Sequence, residues 1–99
     1  MNPRMRTLIP TEFRANALTG KGKVRNVSEG GLFVGTSVIP EEGETVELKL
    51  NTPGTPPIEV TGFVWWTTSE LDEPNAASGF GLRLLDPDER YLRLLESLD

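Results

Sequence analysis

Asn26-Val27-Ser28-Glu29-Gly30-Gly31, followed by the apolar run Leu32-Phe33-Val34, decides the reading of this 99-residue chain. A carboxamide, a hydroxyl and two glycines fall within six residues, the chemistry of a tight turn between two strands. Glycine there allows positive φ or a close approach of backbone to a ligand. The flanking charge is uneven. Residues 1–30 hold six basic groups against two acidic ones, a net of +4, and residues 31–99 hold four against thirteen, a net of −9. A small anion near the N-terminal third is compatible with that split. The overall charge of −5 argues against binding long nucleic acid, where phosphate neutralisation supplies most of the affinity.

Outward from the turn, alternation of apolar and polar residues marks strands. Upstream, Phe13, Ala15 and Ala17 share one face of a strand over 11–18. Gly20-Lys21-Gly22 is read as the hairpin turn, and Lys23–Val27 as the second strand. Downstream, strands are expected over Leu32–Thr36, Thr45–Leu50, Ile58–Thr68 and Gly79–Leu85. In the longest of these, Ile58, Val60, Gly62, Val64 and Trp66 share one face. Phe63 and Trp65 make the other face apolar as well, which suggests a strand covered on both sides. Asn51–Pro57, with three prolines and a glycine, is a loop, and Ser69–Ser78 is a polar, acidic one. Asp86 is the expected N-cap and Pro87 the first residue of a helix over 87–98. Its stripe of Tyr91, Leu92, Leu94, Leu95 and Leu98 docks across one mouth of the sheet. Residues 1–10, with Pro3 and Pro10, are expected to be a flexible N-terminal arm, and 11–99 a single domain. Six short antiparallel strands and a C-terminal helix imply an all-β barrel closed by an α-helix, which also removes exposed sheet edges.

Composition narrows the chemistry. Cysteine and histidine are absent, which removes disulfides, Cys/His zinc sites, and Ser-His-Asp or Cys-His catalysis. Glu41, Glu42, Glu44 and Glu47 could be imagined as a metal or acid/base cluster; a solvated acidic turn is the simpler reading, as it is for Asp72-Glu73 and Asp88-Glu89. No catalytic residue, metal or cofactor is expected. With no apolar leader and no run of about 18 apolar residues, a cytoplasmic protein without membrane insertion is expected.

The chain resembles the PilZ domain, the small six-stranded barrel known as a receptor for the bacterial second messenger cyclic di-GMP. The resemblance rests on Asn26-x-Ser28-x-x-Gly31, which matches the family's [D/N]-x-S-x-x-G, and on Gly22-Lys23-Val24 before it. Gly62-Phe63-Val64-Trp65-Trp66, Gly79-Phe80-Gly81-Leu82-Arg83-Leu84 and the closing helix complete it. The family's second motif, R-x-x-x-R, lies about twenty residues upstream. Arg6 is twenty before Asn26, but four residues earlier stands Asn2, with Arg4 between, so the motif is degenerate. The resemblance implies a cyclic di-GMP site drawing on Arg4, Arg6, Asn26, Ser28, Gly30 and Gly31. Guanidinium forks would meet phosphate or guanine edges. It also implies a protein partner to which the signal passes, in processes such as motility, polysaccharide output or virulence. The alternative is a degenerate adaptor that does not bind the nucleotide and acts through protein contacts alone. For Asn26 and Ser28, bonding to local backbone competes with ligand binding; for Trp65 and Trp66, core packing competes with exposure.

Overall fold

The structure is a computed structural model that describes residues 5–16, 18–68 and 78–98. Six strands, β1 (Met5–Ala15), β2 (Leu18–Val27), β3 (Gly31–Gly35), β4 (Thr45–Leu50), β5 (Ile58–Thr68) and β6 (Gly79–Leu84), precede one helix, α1 (Glu89–Leu98). The strands close into an antiparallel barrel in the order β1-β2-β3-β6-β5-β4. The predicted class is therefore the observed one. Inward positions alternate as read: Phe13 and Ala15, Val46, Leu48 and Leu50, and Phe80, Leu82 and Leu84 all enter one core. Phe13 and Phe80 meet edge-to-face at its centre, centroids 5.1 Å apart. Buried Thr11 fits this core because its hydroxyl donates to the Lys49 carbonyl at 2.7 Å.

Four expectations need correction. Residues 5–10 are not part of an arm: they are the first half of β1 and pair with the C-terminal half of β2. Pro10 is tolerated on an outward, exposed position, where its carbonyl accepts from the Asn51 N–H at 2.9 Å. Residues 1–4, with Asn2 and Arg4, lie outside the described residues, as do Ala17 and 69–77 with Asp72 and Glu73. Second, the hairpin does not turn at Gly20-Lys21-Gly22. It turns around Asn16, whose φ of 45° is left-handed, a conformation that asparagine tolerates. Gly20 and Gly22 sit inside β2 because a side chain there would strike Phe13 or the Gly35 carbonyl.

Third, Trp66 is not inward. Val64 pairs with Leu82 but Trp66 with Gly81, so β5 carries one extra residue at that point. Such a bulge re-aims side chains, and Trp65 and Trp66 both emerge on the outer surface, 56% and 38% exposed. No second layer covers that face among the described residues. Fourth, the helix begins at Glu89, not at Pro87. Asp86 takes a left-handed φ of 50°, and Asp88 is the cap, its carboxylate accepting from the Tyr91 N–H at 3.1 Å.

α1 does close one mouth of the barrel. Tyr91 and Leu95 are buried in the core. Arg90 donates to the carbonyls of Pro56 and Pro57 at 2.9 and 3.1 Å, tying the helix to the β4–β5 loop. Tyr91 ties it to the β2–β3 turn at the same end, and so sets the helix against the Asn26–Gly31 stretch.

Candidate functional site

The turn after β2 is built by its own backbone. Ser28 N–H donates to the Gly31 carbonyl at 2.8 Å, and the Ser28 hydroxyl reaches the same oxygen at 3.2 Å. From the helix, the Tyr91 hydroxyl donates to the Ser28 carbonyl at 2.7 Å and approaches the Gly31 carbonyl at 3.4 Å. Ser28 thus spends its proton locally, while its oxygen retains acceptor capacity. Neither glycine has positive φ. A Cβ on Gly30 would meet nothing, whereas one on Gly31 would lie 2.6 Å from the Leu82 carbonyl oxygen. Gly31 is therefore required by strand packing, and Gly30 faces open space.

The two remaining described residues of the expected site do come together. Arg6 is the cross-strand partner of Asn26. The row continues: Asn26 pairs with Phe33, Phe33 with Gly81, and Gly81 with Trp66. Four steps between strands make this row roughly 19 Å wide on the outer wall. It runs from a cation through a half-buried carboxamide to a stacked aromatic pair, Phe33 and Trp66, with centroids 5.2 Å apart and planes within 19°. Gly81 makes the stack possible, since a Cβ there would fall on the indole nitrogen of Trp66. At the cationic end, Arg6, Leu8, Arg25 and Asn26 line an open cleft of about 630 Å³, within the range of small-ligand sites. Ser28, Gly30 and Gly31 do not line it.

Arg25 was not among the residues expected at the site. Strict alternation would place it opposite in phase to Asn26. The strand carries a bulge there: Val24 pairs with Val34 but Asn26 with Phe33, which leaves Arg25 as the extra residue. The signal was legible, because buried Val24 and Val27 are three apart rather than two. β1 is irregular opposite, between Arg6 and Ile9, and there leaves Leu8 64% exposed.

A larger groove, about 890 Å³, covers the other end of β1. Its charges alternate across strands: Lys21 faces Glu12, Glu12 faces Lys49, and Lys49 faces Glu59. Beside them Arg14 is ion-paired with Glu47 at 2.6 Å. Charge there is internally matched, so this groove is a poor anion site despite its size. The acidic turn is equally occupied: the Glu44 carboxylate accepts from the Glu41 N–H at 2.9 Å. Among the described residues, no three acidic side chains converge as a metal set. No helix among them is long and apolar enough to cross a membrane.

The model of the PilZ domain family matches residues 1–98. The chain belongs to the PilZ domain family. No curated protein matches it. Among solved structures, this PilZ domain is similar to the Bacillus subtilis inhibitor of motility (MotI/DgrA), with a TM-score of 0.78 and 17% sequence identity. The match covers 99% of this chain and 48% of that one, so the PilZ domain here spans about half the length of MotI/DgrA. That likeness concerns the fold. Membership of that family makes the chain a PilZ-type signalling domain.

Proposed function

We propose that this PilZ domain is a cytoplasmic receptor for cyclic di-GMP and passes the signal to a protein partner. The carrying observation is the pairing of Arg6 with Asn26, which sets a guanidinium beside the motif turn over a cleft of about 630 Å³. The ligand offers two phosphates and two flat guanines. Arg6 supplies a fork for a phosphate or for a guanine O6/N7 edge. Asn26 and the Ser28 oxygen offer hydrogen bonds to base edges, and Trp66 offers the next flat surface along the row. Gly30 leaves its side of the turn open, and Arg4, outside the described residues, belongs to the proposed site by its sequence position alone. Bound ligand would bridge the start of β1 to the β2–β3 turn. The Tyr91 bonds would carry the change to α1, the element presented to a partner.

Calorimetric titration with cyclic di-GMP tests this. Micromolar or tighter binding, lost in Arg6→Ala and weakened in Ser28→Ala, supports the receptor. Absence of heat at high micromolar ligand supports the alternative, an adaptor working through protein contacts alone. The observation that favours that second reading is Trp65, 56% exposed beneath the Arg83 guanidinium at 4.3 Å.

A further inference from the structure

We propose that Arg25 is a further guanidinium of this site, delivered by the bulge in β2 and acting together with Arg6 on the two-phosphate ligand. This rests on the receptor reading above. Three observations carry it. First, Arg25 is the residue that the β2 bulge adds between Val24 and Asn26, so that two consecutive outward residues, Arg25 and Asn26, face Phe33. Second, Arg6 and Arg25 line one cleft. Third, neither arginine has an ion pair among the described residues. The two pairs that form there join Arg14 to Glu47 and Arg93 to Glu89. At the other end of β1 the cations Lys21, Lys49 and Arg14 each face an acid across the strands; here two cations share an open cleft with no acid paired to either among the described residues. Like charges in one cleft repel, and an anion placed between them relieves that repulsion.

The stem of Arg25 uses the space that Gly35 leaves bare. A Cβ on Gly35 would lie 2.8 Å from the Arg25 Cδ, so this side chain lies across the bare backbone of β3. Arg6 approaches from β1 on the other side of Asn26. Arg6 and Arg25 thus stand on adjacent strands, a step of roughly 5 Å at the backbone, with the Arg25 stem running from β2 over β3. A compact ligand with two phosphates offers an anion to each of the two cations that line this cleft.

The test is calorimetry with cyclic di-GMP on the 99-residue chain and its Arg25→Ala, Arg25→Lys, Arg6→Ala and Arg14→Ala variants. All three residues are exposed, so folding is checked by an unchanged melting temperature. Arg25→Ala is expected to weaken binding tenfold or more, since a good bidentate contact is worth that much. Arg25→Lys keeps the charge but not the fork and should stay at least threefold weaker than wild type, while Arg14→Ala binds as wild type does. Wild-type affinity in Arg25→Ala, with binding lost in Arg6→Ala, overturns the role of Arg25 and leaves the receptor reading standing. Full recovery in Arg25→Lys overturns the fork. Absence of binding to the wild-type chain overturns both readings together.

Discussion

Replacing Tyr91 by phenylalanine removes one oxygen from the centre of the mouth that α1 closes. Tyr91 is fully buried, and its ring packs in the core; phenylalanine keeps that packing. What is lost is the donor to the Ser28 carbonyl at 2.7 Å and the longer contact to the Gly31 carbonyl at 3.4 Å. The two oxygens are not equally affected. The Gly31 carbonyl still accepts from the Ser28 N–H and hydroxyl, so the loss concentrates on the Ser28 carbonyl. A net hydrogen bond contributes about 1 kcal/mol, and a buried acceptor left without a donor costs about 1–3 kcal/mol. The expected destabilisation is therefore about 1.5 kcal/mol, or a melting temperature lower by about 6–12 °C for a domain of this size. Thermal unfolding followed by circular dichroism measures it. Amide exchange then locates it, because loosening should concentrate at Ser28–Gly31 rather than spread evenly over the barrel. A melting temperature within about 2 °C of wild type, or unchanged exchange at those amides, would refute the view that the helix holds the turn.

The glycines of the motif should separate cleanly. Gly30→Ala is expected within about 0.5 kcal/mol of wild type. Gly31→Ala, with its Cβ 2.6 Å from the Leu82 carbonyl oxygen, should cost about 2 kcal/mol as β3 and β6 part; denaturant melts of the two variants decide this. Asp88→Ala removes the observed helix cap and should cost about 1 kcal/mol, read in the same melts. Gly81→Ala should push the Trp66 indole off Phe33. Loss of the near-ultraviolet circular dichroism of the stacked pair, with a destabilisation of about 1 kcal/mol, is the expected readout.

The barrel was legible because its signal is periodic. Strands β4 and β5 begin and end where alternation places them, and the inner residues of β4 and β6 are those expected. The misread side-chain directions fall where a strand gains a residue. The bulge opposite Gly81 turned Trp66 outward, and the one beside Val24 turned Arg25 into the cleft. A period of two cannot show a change of phase unless one looks for it. In β2 the cue was two valines three apart; in β5 it was a tryptophan pair opposite a glycine that leaves room for it. Of the candidate site, Arg6 and Asn26 were read from motif spacing, and they pair across β1 and β2. Tyr91 was read as part of an apolar stripe, which it is, but its hydroxyl meets the motif turn from 63 residues away in sequence. Such a bond depends on the closed barrel and leaves no local trace.

The position of that bond bears on how a signal could leave the site. The Ser28 and Gly31 carbonyls point inward to Tyr91, whereas Arg6, Asn26 and Arg25 face outward on the same end of the barrel. A ligand on the outer wall and the helix in the mouth therefore act on opposite sides of one six-residue turn. A small displacement of Ser28 toward the ligand lengthens a bond of 2.7 Å directly, and hydrogen bonds weaken steeply with distance and angle. α1 is otherwise fixed by Leu95 in the core and by Arg90 on the β4–β5 loop. Loss of the Tyr91 anchor would leave it held mainly at its other contacts, free to pivot about them. Ligand binding and the Tyr91→Phe substitution should then loosen the same helix. Amide exchange in α1 would rise in the variant without ligand, and rise less on adding ligand than it does in the wild type.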